Sequence, residues 1–443
     1  MDSLAMRLLT RVVAVRADEV RTMLWAFVYF FCLLSSYYIL RPLRDEMGVA
    51  AGVQNLQWLF TGTFFVMLAA MPLFGALVSR VPRRKFIPWT YRFFVANILI
   101  FFGLLQIDAG RVQVAQAFFV WVSVFNLFVV TVFWGFMADL FKSDQGKRLF
   151  GFIAAGGSLG ALVGPSLTAG LAVPLGPVNL LLISALLLEA AVQCVNRLLH
   201  TPQGEPPAAT SEAGAQTVPQ TVNEQVIGGG MLAGLTEILR SPYLTMIAAH
   251  VLLLSLTNTF LYFQQASIVS AAFSDPAERT RMFALIDLSV GLATIAMQVG
   301  VTGRVLVKVG IGIALAFLAV VTMTGFLALA LAPGMAVSLL AVVVGFQAVK
   351  RAAEFGFANP ARETLFTVVS REQKYKAKSF IDTAVFRGGD AVSGWIYTGL
   401  RSGLGLDPTG IALVAVPVAA AWTGLLLALG RKQERLARAQ GAA

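Results

Sequence analysis

A chain of 443 residues in which 57% are hydrophobic and only 13% charged is too apolar for a water-soluble globular domain. The composition points to an all-α, multi-pass membrane protein. A net charge of +11 would suit nucleic acid, but the Lys and Arg residues are spread along the chain as membrane topology requires, not gathered on one patch, which excludes a nucleic-acid partner.

Residues 1–21 interleave Leu4, Leu8, Leu9, Val12 and Val13 with Arg7, Arg11, Arg16 and Arg21 at helical spacing. That pattern predicts an amphipathic helix on the membrane surface rather than a cleaved signal peptide.

Six spans then fill an N-terminal half, 22–199: Met23 to Leu40, Leu56 to Val78, Ile87 to Ile107, Val112 to Leu140, Leu149 to Val173 and Val178 to Leu199. Residues 200–230 turn to Pro, Gly, Gln, Thr, Glu and Ala and read as a disordered linker. After it, Met231, Leu232, Leu235, Ile238 and Leu239 mark a short amphipathic helix that ends before Ser241 and Pro242.

The C-terminal half, 231–430, adds spans at Tyr243 to Phe273, Met282 to Val301, Ile311 to Leu331, Met335 to Phe357, Phe380 to Leu400 and Ile411 to Leu429, followed by a basic tail, 431–443. Most of the 34 Lys and Arg fall on the side that holds both termini, which places those termini in the cytoplasm and the protein in the inner membrane. The expected assembly is a monomer, with the lipid bilayer as its surroundings. Cys32 and Cys194 lie within apolar spans without metal-ligand or CxxC spacing, so no metal, cofactor or redox chemistry is expected.

Acidic residues are scarce in the apolar spans, yet Arg41, Arg44, Arg92, Lys350, Arg351 and Arg387 lie in them or at their ends. A cation in hydrocarbon costs roughly 2.5–3.5 kcal/mol on insertion scales, so such residues face water-filled cavities or snorkel to an interface. Arg92 reads as an interfacial anchor. Arg41 and Arg44, three apart, form a fork for a carboxylate or phosphate, or else pair with Asp45 and Glu46 at the outer interface.

Lys350 and Glu354 sit four apart and are expected to neutralise each other, which leaves Arg351 the better substrate ligand. Arg387, with Asp390 on the same face and Asp382 a turn away, is the leading anion contact. Asp287 has no basic neighbour on its own helix; it either takes up and releases a proton or pairs with Arg41 or Arg44 from another helix. The polar seventh span offers Asn258 and Gln265 on one face as further cavity residues.

Two stretches carry a family resemblance. Gly75-Ala-Leu-Val-Ser-Arg80-Val-Pro-Arg83-Arg84, with a counterpart at Gly303-Arg-Val-Leu-Val-Lys308-Val-Gly310, resembles the loop motif of the major facilitator superfamily, with Ser79 in place of the usual Asp. Gly151, Gly160, Gly164, Pro165 and Gly170 resemble the fifth-helix pattern of that superfamily's antiporters, although Gly156, Gly160 and Gly164 equally make a stripe for tight packing. The resemblance implies two pseudo-symmetric six-helix halves, with gating roles for Gly75, Arg80, Arg83, Arg84, Gly164 and Pro165.

Tyr37-Tyr-Ile-Leu-Arg41-Pro-Leu-Arg44-Asp45 and Lys376-Ala-Lys-Ser-Phe-Ile-Asp382, followed by Arg387-Gly-Gly-Asp390, are similar to the nucleotide translocases that exchange ATP and ADP, with Asp390 where that family's lysine is expected. The resemblance implies a divergent relative that moves an organic anion, a nucleotide or other phosphorylated metabolite among them, by exchange or proton coupling. A proton-driven efflux antiporter for amphiphilic compounds and a non-transporting sensor or assembly factor are the alternatives. No P-loop or HExxH pattern occurs, and Gly156-Gly-Ser158-Leu-Gly160 lies within a membrane helix without a preceding strand, so the chain is not expected to be an enzyme.

Overall fold

The computed structural model describes residues 15–16, 18–80, 83–107, 110–200, 231–300, 310–335 and 337–441, with no side chains described over 73–85. The proposed surface helix over 1–21 and the linker over 200–230 lie almost wholly outside the described residues, as does the loop repeat at Gly303.

The first half comprises α1 (Val20–Ala50), α2 (Leu56–Arg80), α3 (Arg83–Gln106), α4 (Arg111–Leu140), α5 (Ser143–Leu175) and α6 (Leu180–Leu199). The second begins with the short α7 (Met231–Arg240) and continues with α8 (Pro242–Ala272), α9 (Pro276–Gly300) and α10 (Ile311–Leu331). Then come α11 (Leu339–Ala353), a π-helical turn at Glu354–Ala358 and α12 (Asn359–Leu365). Next are α13 (Arg371–Phe380), a second π-helical turn at Ile381–Val385 and α14 (Phe386–Thr398), and the chain closes with α15 (Pro408–Gly441).

Among the described residues, nine helices are long and apolar enough to cross a membrane. With the helix α2 and the two interrupted rods α11–α12 and α13–α14, the all-α architecture of the described residues accommodates the twelve expected spans. Each interrupted rod is divided at its π-helical turn into α-helices of 15 and 7 or of 10 and 13 residues, each by itself too short to span a hydrocarbon core.

Two boundaries differ from the sequence reading. The first span does not stop at Leu40: α1 runs on through Pro42 to Ala50, since an interior proline removes one backbone hydrogen bond without ending a well-packed helix. Its 31 residues reach about 46 Å, more than the roughly 30 Å of a hydrocarbon core, so Arg41, Arg44, Asp45 and Glu46 ride on a helix and not in a loop. The basic tail likewise continues α15 as far as Gly441.

Within the first half, α1 packs on α4, α5 and α6. Glycine makes the α1–α5 contact possible: a Cβ on Gly160 would sit 2.6 Å from the carbonyl oxygen of Phe31, and one on Gly164 2.8 Å from that of Ser35. Gly164 therefore belongs to packing inside one half. In the second half, α10 packs on α15, α8 on α14 and α15, and α9 on α11.

The halves meet where α9 packs on α5 and α1, and where α2 packs on α14. On the α2–α14 side, Trp58 and Trp395 meet edge to face at 4.7 Å, and the Trp395 indole donates to Thr61 Oγ1 at 3.1 Å.

Candidate functional site

Between the halves lies a partly open cavity of about 560 Å³, within the size range of small-molecule sites. Arg41, Arg44, Arg351 and Arg387 all line it, together with Asp287, Asp390 and Asn258. Neither Arg351 nor Arg387 is turned to lipid. Aromatic rings fill much of the remaining wall, among them Tyr37, Tyr38, Phe60, Phe119 and Tyr262.

Each arginine is held by a carboxylate. Arg41 on α1 reaches across the seam to Asp287 on α9, Nη1 to Oδ1 at 3.1 Å. Asp287 Oδ2 has no hydrogen-bond partner. Arg44 contacts its neighbour Asp45 at 3.0 Å, donates to Ser123 at 3.4 Å, and lies 4.6 Å from the centroid of Phe119. A planar guanidinium suits that mixture of carboxylate and ring face, where an ammonium would not.

Arg387 and Asp390 pair at 3.6 Å along α14, and Asp390 Oδ1 accepts from Ser255 Oγ on α8 at 2.5 Å. Arg387 keeps 38% of its side-chain surface, the most exposed of the four arginines.

The expected Lys350–Glu354 ion pair is not the contact made. Lys350, fully buried, donates to Asn258 Oδ1 on α8, and Glu354 pairs with Arg351 at 3.9 Å. The backbone register between the two is regular, the Glu354 amide donating to the Lys350 carbonyl oxygen, and it is the Asn258 oxygen on α8 that takes the ammonium. Arg351 thus has the intrahelical partner that the sequence reading denied it.

Gln265 does not line the cavity either. It sits seven residues beyond Asn258, about 10 Å further along α8, buried against Gln347 of α11. Asp382 is drawn away from the cavity by Arg362, at 3.6 Å. Pro165 lies within the unbroken α5. Gly75, Arg80, Arg83 and Arg84 fall in α2 and α3, and their side-chain placement lies outside the described residues.

Sequence reasoning missed a set of contacts that ties the two halves together near the α1–α2 turn. Glu46 on α1 receives two hydrogen bonds from Arg279 on α9, at 2.6 and 2.8 Å, and Tyr262 on α8 donates to Asp45 at 2.9 Å. Arg279 lies between the seventh and eighth predicted spans, and no spacing rule links it to Glu46 in sequence. The one available signal was Asp45 and Glu46 themselves, two acids adjoining a pair of arginines.

At the opposite end of α1, Glu19 is buried. Arg148 of α5 donates to both its oxygens, and Gln145 and the Arg16 amide donate as well. The hydrogen bonds from Arg148 hold the Glu19 carboxyl at about 2, from an ordinary 4.5.

Comparison with known proteins accords with this architecture. Residues 22–361 match the family model described as Major Facilitator Superfamily. The chain is 23% identical to ADP,ATP carrier protein 1 of Chlamydia muridarum (strain MoPn / Nigg), over 87% of this chain and 83% of that protein, and 22% identical over the same shares to the Chlamydia trachomatis protein of the same name. Among solved structures, a POT family transporter in complex with a thioalcohol-conjugated peptide superposes with a TM-score of 0.65 at 12% identity, over 93% of this chain and 96% of that one. A nucleoside transporter superposes at 0.58 and 14%, over 95% and 99%. These relatives are transporters, not enzymes, and on the match over 22–361 the chain belongs to the Major Facilitator Superfamily.

Proposed function

We propose that this protein is a secondary transporter for an organic anion, working by alternating access around the cavity between its halves. The observation that carries the reading is the convergence of Arg41, Arg44, Arg351 and Arg387 on one cavity from both halves of the bundle. Cations kept at membrane depth and reachable from solvent mark a solute path. Nucleotides and other phosphorylated metabolites fall within the class, since the Chlamydia relatives are named for ADP and ATP. The distribution of Lys and Arg favours an inner-membrane orientation with both termini cytoplasmic.

Asp287 supports a proton-coupled version of the cycle. Its carboxylate bridges the halves through Arg41 and leaves one oxygen unbonded, so separation of the halves at that contact would free a base for a proton. The efflux alternative, in which Asp287 carries the coupling and the arginines are bystanders, predicts loss of activity with Asp287→Asn and little change with Arg387→Gln.

The discriminating experiment is anion uptake or counterflow in proteoliposomes. Arg387→Gln is expected to reduce it at least tenfold with the protein still folded. Unchanged uptake would remove the anion reading.

A further inference from the structure

The balance of acids and bases around the cavity limits the charge of the solute that fits it. Every arginine that lines the cavity already has a carboxylate within 4 Å: Arg41 has Asp287, Arg44 has Asp45, Arg351 has Glu354 and Arg387 has Asp390. Behind the wall, Lys350 adds a further cation whose hydrogen bond goes to an uncharged amide, that of Asn258.

Among the described residues, five cations therefore meet four carboxylates in and just behind the cavity wall. Near the α1–α2 turn, Glu46 and Arg279 cancel as a matched pair and leave the balance unchanged. With every one of these groups in its ordinary ionised form, the surplus is a single positive charge.

Charge in a low-dielectric chamber is stabilised only where it is matched. A solute with one net negative charge completes the balance, and every bonded carboxylate can stay in place. Each further negative charge must either remain uncompensated or expel a carboxylate that is itself held: Asp390 by Ser255 and Arg387, Asp45 by Tyr262 and Arg44. The rings beside the charges supply the apolar part of the fit: Phe119 under Arg44, and Tyr38 at 5.9 Å from Arg41.

We propose that the site takes a ring-bearing solute with a single net negative charge and discriminates against polyphosphates. The proposal rests on the anion reading above and narrows it, away from the substrates for which the Chlamydia relatives are named.

Two ligand series test it, with binding to the purified full-length protein read by melting shift and by filter competition at fixed salt and neutral pH. One series keeps the adenine ring: adenosine, cyclic AMP, AMP, ADP and ATP, in rising charge. The other keeps the benzene ring: benzyl alcohol, benzoate, phthalate and benzenetricarboxylate. In the series whose ring is accepted, affinity is expected to peak at the singly charged member and to fall about tenfold for each added charge.

Asp390→Asn leaves the Ser255 contact possible while adding one positive charge to the balance, so it is expected to move the peak to the doubly charged member. Arg387→Gln is expected to move it to the neutral one. Affinity that climbs steadily to ATP or to the tricarboxylate would overturn the charge limit and leave the anion reading intact. Variants that lower every affinity without moving the peak would also overturn it. No saturable binding by any anion of either series would remove the anion reading, and this proposal with it.

Discussion

Glu46 and Arg279 meet end to end across the seam between the halves, both carboxylate oxygens taken by one guanidinium at 2.6 and 2.8 Å. The same guanidinium donates to the carbonyl oxygen of Ser274 at 2.9 Å, so the turn before α9 is fixed along with the helix. One residue earlier, Asp45 accepts from Tyr262. Two adjacent acids on α1 thus hold two different helices of the opposite half.

Loss of this clamp should loosen the contact between the halves. Arg279→Gln is expected to raise the labelling of a cysteine placed at Thr63, a cavity residue, several-fold with a membrane-impermeant maleimide applied from the side of the α1–α2 turn. The native Cys32 and Cys194 are buried and should stay silent. Labelling equal to that of the unaltered clamp would show that the pair does not keep the seam shut.

The α1–α5 contact gives a paired stability test. Gly160→Ala places a methyl group 2.6 Å from a backbone oxygen and is expected to cost about 1–3 kcal/mol, because the obstacle cannot rotate away. Gly151→Ala, on the same helix with nothing within 4 Å, is expected to be neutral or to stabilise by up to about 1 kcal/mol. Thermal melts in one detergent compare the two; equal effects would contradict the packing argument.

Acid should weaken the tie between α1 and α5. Glu19 has a folded-state pKa below its unfolded value, so its contribution is fully present above about 4.5 and is lost as pH falls from 4.5 toward 2. Melting temperature followed over that range should fall less steeply in Glu19→Gln, which starts lower and has no carboxylate to protonate. Parallel curves for the two proteins would mean that the Arg148–Glu19 contact adds nothing to stability.

Asn258 is predicted to matter for folding as well as for the cavity. Asn258→Leu removes the acceptor from the buried Lys350 ammonium and is expected to cost about 1–3 kcal/mol in a chemical or thermal unfolding assay. The double variant with Lys350→Met should recover most of that loss, since no unpaired donor then remains. Failure of the second change to rescue the first would place the cost elsewhere.

The course of the chain through the membrane was readable from hydropathy alone, because length and apolarity are local properties. Span nine was placed at Ile311 to Leu331, where α10 lies, and most other limits fall within a few residues. The cavity arginines were also legible, since a cation in an apolar run stands out without any knowledge of its neighbours.

Partnerships across helices were not legible to the same degree. Asp287 was left with Arg41 or Arg44 as alternative partners, and only the packing of α9 on α1 selects Arg41. The Lys350–Glu354 pairing followed from helical spacing and failed because Asn258, on another helix, takes the ammonium, a partner that no local rule announces. Gln265 shared a face with Asn258 but not a depth: helical periodicity fixes the angle around the axis and says nothing of where along it a cavity ends.

The glycine face between α1 and α5 also governs how the molecule can move. With Gly160 and Gly164 seated against main-chain oxygens of α1, neither helix can slide or turn on the other without collision, so the pair travels as one solid block. Under the proposed alternating access, displacement would fall at the α1–α9 boundary, where Arg41 and Asp287 face each other. A chemical tether within the block would leave turnover untouched, whereas one across that boundary would arrest it.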